Sequence, residues 1–106
     1  MTNVSPNAIL MDHEFEVFGK PLGAYADKEA LAEGVLLAVK HGPINRMSRA
    51  VFDHYTKSLA LTDAIRAVLK EEPSANGWRV ALYRGKCLWA IPNEVGGLTL
   101  TFPEDY

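Results

Sequence analysis

The side chains in this sequence best suited to acid–base or metal chemistry are three histidines and one cysteine: His13, His41, His54 and Cys87. No histidine stands at metal-ligand spacing from another histidine or from Cys87, so the sequence contains no zinc motif. The pairs His13-Glu14 and Asp53-His54 lack a shared direction, because adjacent side chains diverge on both helices and strands. Cys87 has no base beside it that would activate it as a nucleophile. We therefore predict no catalytic residue, no metal, no cofactor and a protein that is not an enzyme.

Four charged side chains are candidates for partner binding, because helical spacing over residues 45–58 would bring them to one polar face: Arg46, Arg49, Asp53 and Lys57. This face could contact nucleic acid through its basic side chains. A net charge of −2, from 11 basic and 13 acidic residues, does not favour phosphate binding. A solvated Arg49–Asp53 pair explains the same pattern without any ligand. Nucleic-acid binding by a helix over 46–57 is therefore the second hypothesis.

Aromatic residues in the C-terminal third form another candidate surface. Trp78, Tyr83 and Trp89 fall on two predicted strands, and aromatic side chains are enriched where proteins bind each other. Tyr83 and Trp89 are accordingly candidate partner-binding residues. The competing interpretation, which we favour for Trp78 and Trp89, is that these two side chains belong to the core.

Two segments have the spacing of amphipathic helices that could carry the charged face. In the first, apolar positions recur three and four residues apart in Met47, Ala50, Val51, His54 and Tyr55. In the second, the same spacing appears in Leu61, Ala64, Ile65, Val68 and Leu69. The sequence leaves open whether residues 45–72 form one helix or two.

Three short strands are predicted after these helices, over residues 78–83, 87–91 and 98–102. The turn Arg84-Gly85-Lys86 and a second short glycine-containing turn connect them, which predicts an antiparallel meander. An apolar run over residues 35–39 is expected to add a strand. Two to three amphipathic helices beside such a sheet predict an α+β fold, with the helices packed on an antiparallel sheet.

The stretch from residue 18 to residue 39, FGKPLGAYADKEALAEGVLLAV, has the sharpest local signals. Asp27 is a good N-cap for a short helix, and Gly34 can adopt the left-handed conformation that ends one. A strand over 35–39 would then follow. The alternative is a single helix over 27–40, in which Gly34 would cost about 1 kcal/mol relative to alanine.

The length of 106 residues predicts one domain. Residues 1–8 are polar and are predicted as a flexible tail, followed by a single α+β domain over 9–106. No apolar run approaches 20 residues, so we expect no membrane span. The first residues do not resemble a secretory signal and the chain has one cysteine, so we expect a cytoplasmic protein.

Three segments resemble an uncharacterised family of small proteins from phages, plasmids and other mobile elements. The family's opening pattern, FG-x-x-I-x-x-Y-T-R-x-x-A-I-x-D-G-V-L-x-D-V, is matched by Phe18, Gly19, Tyr25, Ala30, Gly34, Val35, Leu36 and Val39. Residues 47–52, MSRAVF, are similar to its L-T-R-A-V-W, and residues 98–105, LTLTFPED, to its L-T-I-M-L-P-E-E-D. The chain departs from the family at Ala26, Asp27, Glu33 and Ala38. The resemblance implies a mobile-element setting but does not point to any activity, because the family is uncharacterised.

Together, these observations favour an accessory protein of a phage, plasmid or other mobile element that acts by binding a partner protein. A homodimer formed through an exposed sheet edge or helix face is a further hypothesis.

Overall fold

The structure is a computed structural model, and it describes residues 22–106. Residues 1–8, predicted as a tail, and the first part of the predicted domain, 9–21, lie outside this range. None of the helices in residues 22–106 has the length and apolarity that crossing a bilayer requires.

Residues 22–106 form three α-helices and five strands, with a short 3-10 helix near each end. In chain order these are a 3-10 helix Leu22–Ala24, α1 Asp27–Glu33, β1 Leu36–His41, β2 Ile44–Ser48, α2 Arg49–Lys57, α3 Leu61–Leu69, β3 Arg79–Tyr83, β4 Lys86–Pro92, β5 Leu98–Thr101 and a 3-10 helix Pro103–Asp105. The predicted α+β class is confirmed.

The five strands lie in one sheet in the order β1-β2-β5-β4-β3. The predicted C-terminal meander is confirmed, because β3 pairs antiparallel with β4 and β4 with β5. The predicted strand at 35–39 is present as β1. The sheet is mixed rather than antiparallel throughout, because β2 runs parallel to β5. Gly42, at φ 62°, lies in the tight turn that folds β2 back onto β1. In the strand order, β2 lies next to β5 and so joins this hairpin to the meander.

Residues 27–40 form a helix and then a strand, which resolves the first open alternative. Gly34 has φ 78°, and its backbone N–H donates to the carbonyls of Ala30 and Leu31. This left-handed residue ends α1 as glycine at this position commonly does. The next residues are then free to enter β1.

Residues 45–72 contain two helices rather than one. Ser48 caps α2, with its hydroxyl accepting a hydrogen bond from the backbone N–H of Val51 at 3.1 Å. Between α2 and α3 the chain turns at Leu59, which has φ 57° and is 93% exposed. A left-handed residue cannot continue a helix, so the turn separates α2 from α3.

Helices α2 and α3 cover one face of the sheet and enclose the main core. This cluster contains Ile44, Met47, Val51, Tyr55, Ala60, Ala64, Ile65, Val68, Ala81, Leu88, Ala90, Leu100 and Phe102. Strand residues that alternate with these, such as Val80, Leu82 and Trp89, point to the opposite side of the sheet. We call that side the open face, because α2 and α3 do not cover it.

Candidate partner-binding surface

Arg46 does not lie on a helix, which corrects the helix predicted over 46–57. It lies in β2, opposite Ala38 of β1 and Thr99 of β5, and α2 begins three residues later at Arg49. The register between β2 and β5 shifts between Ile44 and Arg46. An extra residue there lets Ile44 and Met47 both face the core, although they are three residues apart. The bulge therefore gives two buried residues of a strand the three-residue spacing that is typical of a helix.

Arg46 forms a bidentate ion pair with Asp27 on the open face. Its Nε lies 2.7 Å from Oδ1, and its Nη2 lies 3.0 Å from Oδ2. The two side chains are only 17% and 13% exposed. The hydrogen bonds to Asp27 raise the pKa of the Arg46 guanidinium, which therefore stays charged. The ion pair ties the first turn of α1 to β2.

Asp27 is therefore not the N-cap of α1, contrary to the sequence-based prediction. The helix begins at Asp27 itself, and the N-cap is Ala26, which makes no side-chain hydrogen bond. The backbone N–H of Asp27 instead donates to the Glu94 carboxylate at 3.2 Å. The backbone N–H and the carboxylate of Asp27 thus both bind residues distant in the sequence, although local sequence rules assign this residue to capping.

A cleft of about 230 Å³ lies beside the ion pair, between the start of α1 and the loop joining β4 to β5. Its polar lining comes from Tyr25, Asp27, Asn93, Glu94 and Thr99, and apolar side chains, including Tyr106, complete it. The hydroxyl of Tyr25 donates to Glu33 at 3.4 Å. In the described part of the chain, no three histidine, cysteine, aspartate or glutamate side chains come together as a metal site.

The amide of Asn93 holds the loop that borders this cleft. Its nitrogen donates to Asn45 Oδ1 at 2.8 Å and to Thr99 Oγ1 at 3.1 Å. Its oxygen accepts from the backbone N–H groups of Val95 and Gly97, both at 3.1 Å. The polar groups of the cleft are thus engaged with one another, which is typical of a structural network.

The polar face of α2 consists of Arg49, Asp53 and Lys57. Arg49 Nε lies 3.3 Å from Asp53 Oδ2, with the two side chains 58% and 53% exposed. Lys57 is exposed as well. Since Arg46 is on β2 and paired with Asp27, the basic face expected from the sequence is reduced to two cations with a carboxylate between them.

Tyr83 and Trp89, predicted to share a binding surface, lie on opposite faces of the sheet. Tyr83 packs on Tyr55 beside the main core, with ring centroids 5.7 Å apart. Trp89 lies on the open face, 5.2 Å from Trp78. The main core excludes both tryptophans, so the interpretation we favoured for them is corrected. Trp89 remains a candidate binding residue, whereas Tyr83 contributes to packing.

The tryptophans form an aromatic cluster with the C-terminal residue of the chain. The ring of Tyr106 lies 5.9 Å from that of Trp78 and 6.2 Å from that of Trp89. The backbone N–H of Gly23 donates to the carbonyl oxygen of Tyr106 at 3.1 Å, which holds the end of the chain against the open face. No local pattern in the sequence links Tyr106 to residues 78 and 89, so its place in this cluster could not be predicted.

An apolar strip extends from this cluster to the outer edge of the sheet. It consists of Val80, Leu82, Cys87 and Trp89, in which Val80 lies opposite Trp89 and Leu82 opposite Cys87. Val80 is 51% exposed and Leu82 is 75% exposed. Residues 78–83 carry apolar side chains on both faces, so the sequence alone could not indicate which face the helices cover.

His54 packs edge-on against two aromatic rings of the core, those of Tyr55 at 4.7 Å and Phe102 at 5.6 Å. His54 is nevertheless exposed, so it lies at the rim of the core and not inside it. His13, the other histidine with an acidic neighbour, lies outside the described residues.

Residues 22–106 thus form an α+β domain in which α2 and α3 cover one face of a five-stranded mixed sheet, while the other face has α1 at one side and an exposed apolar strip at the other. Comparison of the chain with protein-family models, with curated proteins and with solved structures finds no match.

Proposed function

We propose that the protein is a small non-enzymatic accessory protein that acts by binding a partner protein through the apolar strip. The exposure of Val80 and Leu82, 51% and 75%, carries this proposal. Full burial of an exposed aliphatic side chain gains about 1.5–3 kcal/mol, so a partner that covers the rest of Val80 and Leu82 would gain about half and about three quarters of that amount, respectively. Aromatic side chains that are already ordered lose little conformational entropy on binding. The rings of Trp78, Trp89 and Tyr106, which pack against one another beside the strip, are of this kind.

The polar half of the open face supports the same assignment. Asp27, Arg46 and Asn93 are engaged with neighbours inside the chain, so a ligand that needed them would have to compete with those bonds. Among residues 22–106, nothing covers most of the Val80 and Leu82 side chains. A partner with apolar side chains therefore fits the open face better than a polar small molecule does.

We further propose that the protein works in the cytoplasm of a cell that carries a phage, plasmid or other mobile element. The support is the resemblance of residues 18–39, 47–52 and 98–105 to proteins of that setting. Sequencing the genomic neighbourhood tests this part of the proposal. Neighbouring genes for replication, packaging or transfer are expected, and a neighbourhood of ordinary metabolic genes would remove it.

Nucleic-acid binding through α2 is the second hypothesis, and it depends on Arg49 and Lys57 alone. Because phosphate binding requires several cations and strengthens at low salt, a gel-shift titration in dilute buffer is the appropriate test. No complex is expected. A complex that is lost in Arg49→Ala would favour this hypothesis over partner-protein binding.

Peptide display provides a direct test of the apolar strip. The full-length chain is immobilised and panned against displayed random peptides, and enriched peptides are titrated while the fluorescence of Trp78 and Trp89 is followed. Peptides with several apolar residues are expected to bind wild type, and to bind Val80→Lys at least about tenfold more weakly. Leu59→Lys is the matched control. Leu59 is also exposed, at 93%, but it lies in the turn between α2 and α3 and not on the strip. Equal affinity for Val80→Lys, or no enrichment, would exclude the strip as the binding surface.

A further inference from the structure

The two edge strands of the sheet differ in their protection against pairing with another strand. β1 contains Lys40 and His41, and its register with β2 shifts between Ala38 and His41. Edge lysines and irregular pairing are the devices by which proteins keep sheet edges from associating. β3 is regular over all five residues of its pairing with β4 and contains neither lysine nor proline. Its outer edge pairs with no strand among residues 22–106.

The one charged side chain of β3 is turned away from this edge. Arg79 Nη1 donates to the backbone carbonyls of Glu71 at 2.6 Å and Leu69 at 3.3 Å. The guanidinium is therefore held against the end of α3. It does not provide the charge that would protect the edge strand.

The hairpin between β3 and β4 determines which backbone groups of β3 are unpaired. Tyr83 and Lys86 close a two-residue turn in which Arg84 and Gly85 have φ 51° and 78°. In such a hairpin the closing pair exchanges hydrogen bonds, and hydrogen-bonded and non-hydrogen-bonded pairs then alternate. The N–H and C=O groups of Val80 and Leu82 therefore point outward, away from β4.

We propose that β3 pairs antiparallel with β3 of a second copy of this chain, on a two-fold axis at Ala81. In this register Val80 of each copy lies opposite Leu82 of the other, and their outward N–H and C=O groups bond to each other. The same pairing places the Val80 and Leu82 side chains in contact on the open face. Arg79 lies opposite Tyr83, so no like charges face each other directly. β3 is thus complementary to itself in hydrogen bonding, and the register avoids placing like charges opposite each other.

The size of the contact sets its expected strength. A five-residue strand is roughly 17 Å long, and its pairing buries less than the roughly 1,000 Å² of a lasting interface. The dimer should therefore exchange with monomer at micromolar concentrations. Pairing would join two five-stranded sheets and bring two apolar strips together as one surface. The inference thus extends the proposed function, but it requires no other protein.

Sedimentation equilibrium of the full-length chain tests the pairing. Between about 5 and about 500 µM, a range that brackets a micromolar dissociation constant, the average mass should rise from 11.7 kDa toward twice that value. Leu82→Lys should remain monomeric, whereas Leu59→Lys should dimerise as wild type does. Leu82→Pro removes one outward N–H while sparing the bonds to β4, and it should also remain monomeric. Circular dichroism confirms that each variant is folded.

Amide exchange followed by NMR identifies the register. Protection at Val80 and Leu82 should increase with protein concentration, while Ala81 and Tyr83 should be protected at every concentration. A monomer throughout the range, or a dimer that survives both Leu82 variants, overturns the inference. Concentration-independent protection of Val80 and Leu82 also overturns it, because another part of the same chain would then cover the edge. If the monomer still binds apolar peptides, the proposed function stands although the dimer does not; if it binds none, both fail.

Discussion

Removal of the Asp27–Arg46 ion pair should destabilise the domain much more than removal of the Arg49–Asp53 pair. Both pairs join an arginine to an aspartate at short distance, but their exposures differ. The side chains of the first pair are 17% and 13% exposed, and those of the second are 58% and 53% exposed. The chain therefore contains a largely buried pair and its own exposed control.

The expected magnitude follows from burial and geometry. Breaking a fully buried pair by removing one partner costs about 3–5 kcal/mol, because the remaining charge is left without compensation. Some exposure remains at Asp27 and Arg46, so we expect Arg46→Met to lower the free energy of unfolding by about 2–3 kcal/mol. An exposed pair contributes only about 0.2–1 kcal/mol. The coupling energy between Asp27→Asn and Arg46→Met should thus be about 2 kcal/mol, against less than about 0.5 kcal/mol for Arg49→Met and Asp53→Asn.

Urea unfolding followed by tryptophan fluorescence measures both coupling energies. With a slope of about 1–3 kcal/mol per molar urea, a loss of about 2–3 kcal/mol in Arg46→Met should lower the midpoint by roughly 0.7–3 M. Trp78 and Trp89 report on the open face, where the ion pair lies. Equal coupling energies for the two pairs would refute the reasoning, because burial would then not determine the contribution of an ion pair in this domain.

Three further substitutions test other features of residues 22–106. The hydroxyl of Tyr55 is buried and has no hydrogen-bond partner in this part of the chain, so Tyr55→Phe should leave thermal stability unchanged or raise it by up to about 1 kcal/mol; a loss above that value would mean the hydroxyl is bonded. Leu59→Gly should stabilise the domain by up to about 1 kcal/mol in the same assay, because glycine accepts φ 57° without strain, and a loss would contradict this. The pKa of the Glu104 carboxyl is lowered, first by a backbone hydrogen bond in the last 3-10 helix and then by a hydrogen bond from Lys86. The ionised carboxylate therefore stabilises the fold above the ordinary pKa of glutamate, and this stabilisation is lost as pH falls through the lowered pKa. Lys86→Met should raise the pKa of Glu104 in an NMR titration, and an unchanged pKa would exclude the Lys86 contribution.

Features set by local chemistry could be predicted from the sequence. Gly34 followed by an apolar run indicated a helix end and a strand, and both are present. The strict alternation at residues 98–102 indicated β5. The turn at Arg84-Gly85 gave the β3–β4 hairpin. In each case a few adjacent residues determine the conformation, so no knowledge of distant contacts was required.

Features set by distant contacts could not be predicted. Strand β2 was missed because Met47, near its end, stands four residues before Val51 and so extends the helical spacing of α2 backwards into the strand. Asp27 has the chemistry of a helix cap, and only the position of Arg46 shows that it makes an ion pair instead. Of the predicted site residues, Trp89 lies on the apolar strip, but the strip's most exposed members, Val80 and Leu82, could equally have been core residues.

The open face separates stability from binding. Its polar half is held by Asp27, Arg46 and Asn93, whose hydrogen bonds join α1, β2 and the loop before β5. Its apolar half ends at Val80 and Leu82, whose side chains remain largely exposed. Substitutions in the polar half should therefore change the free energy of unfolding, and conservative changes among them should leave peptide binding intact. Substitutions of Val80 and Leu82 should change binding more than the free energy of unfolding, because half of Val80 and three quarters of Leu82 stay exposed until a partner or a second copy covers them.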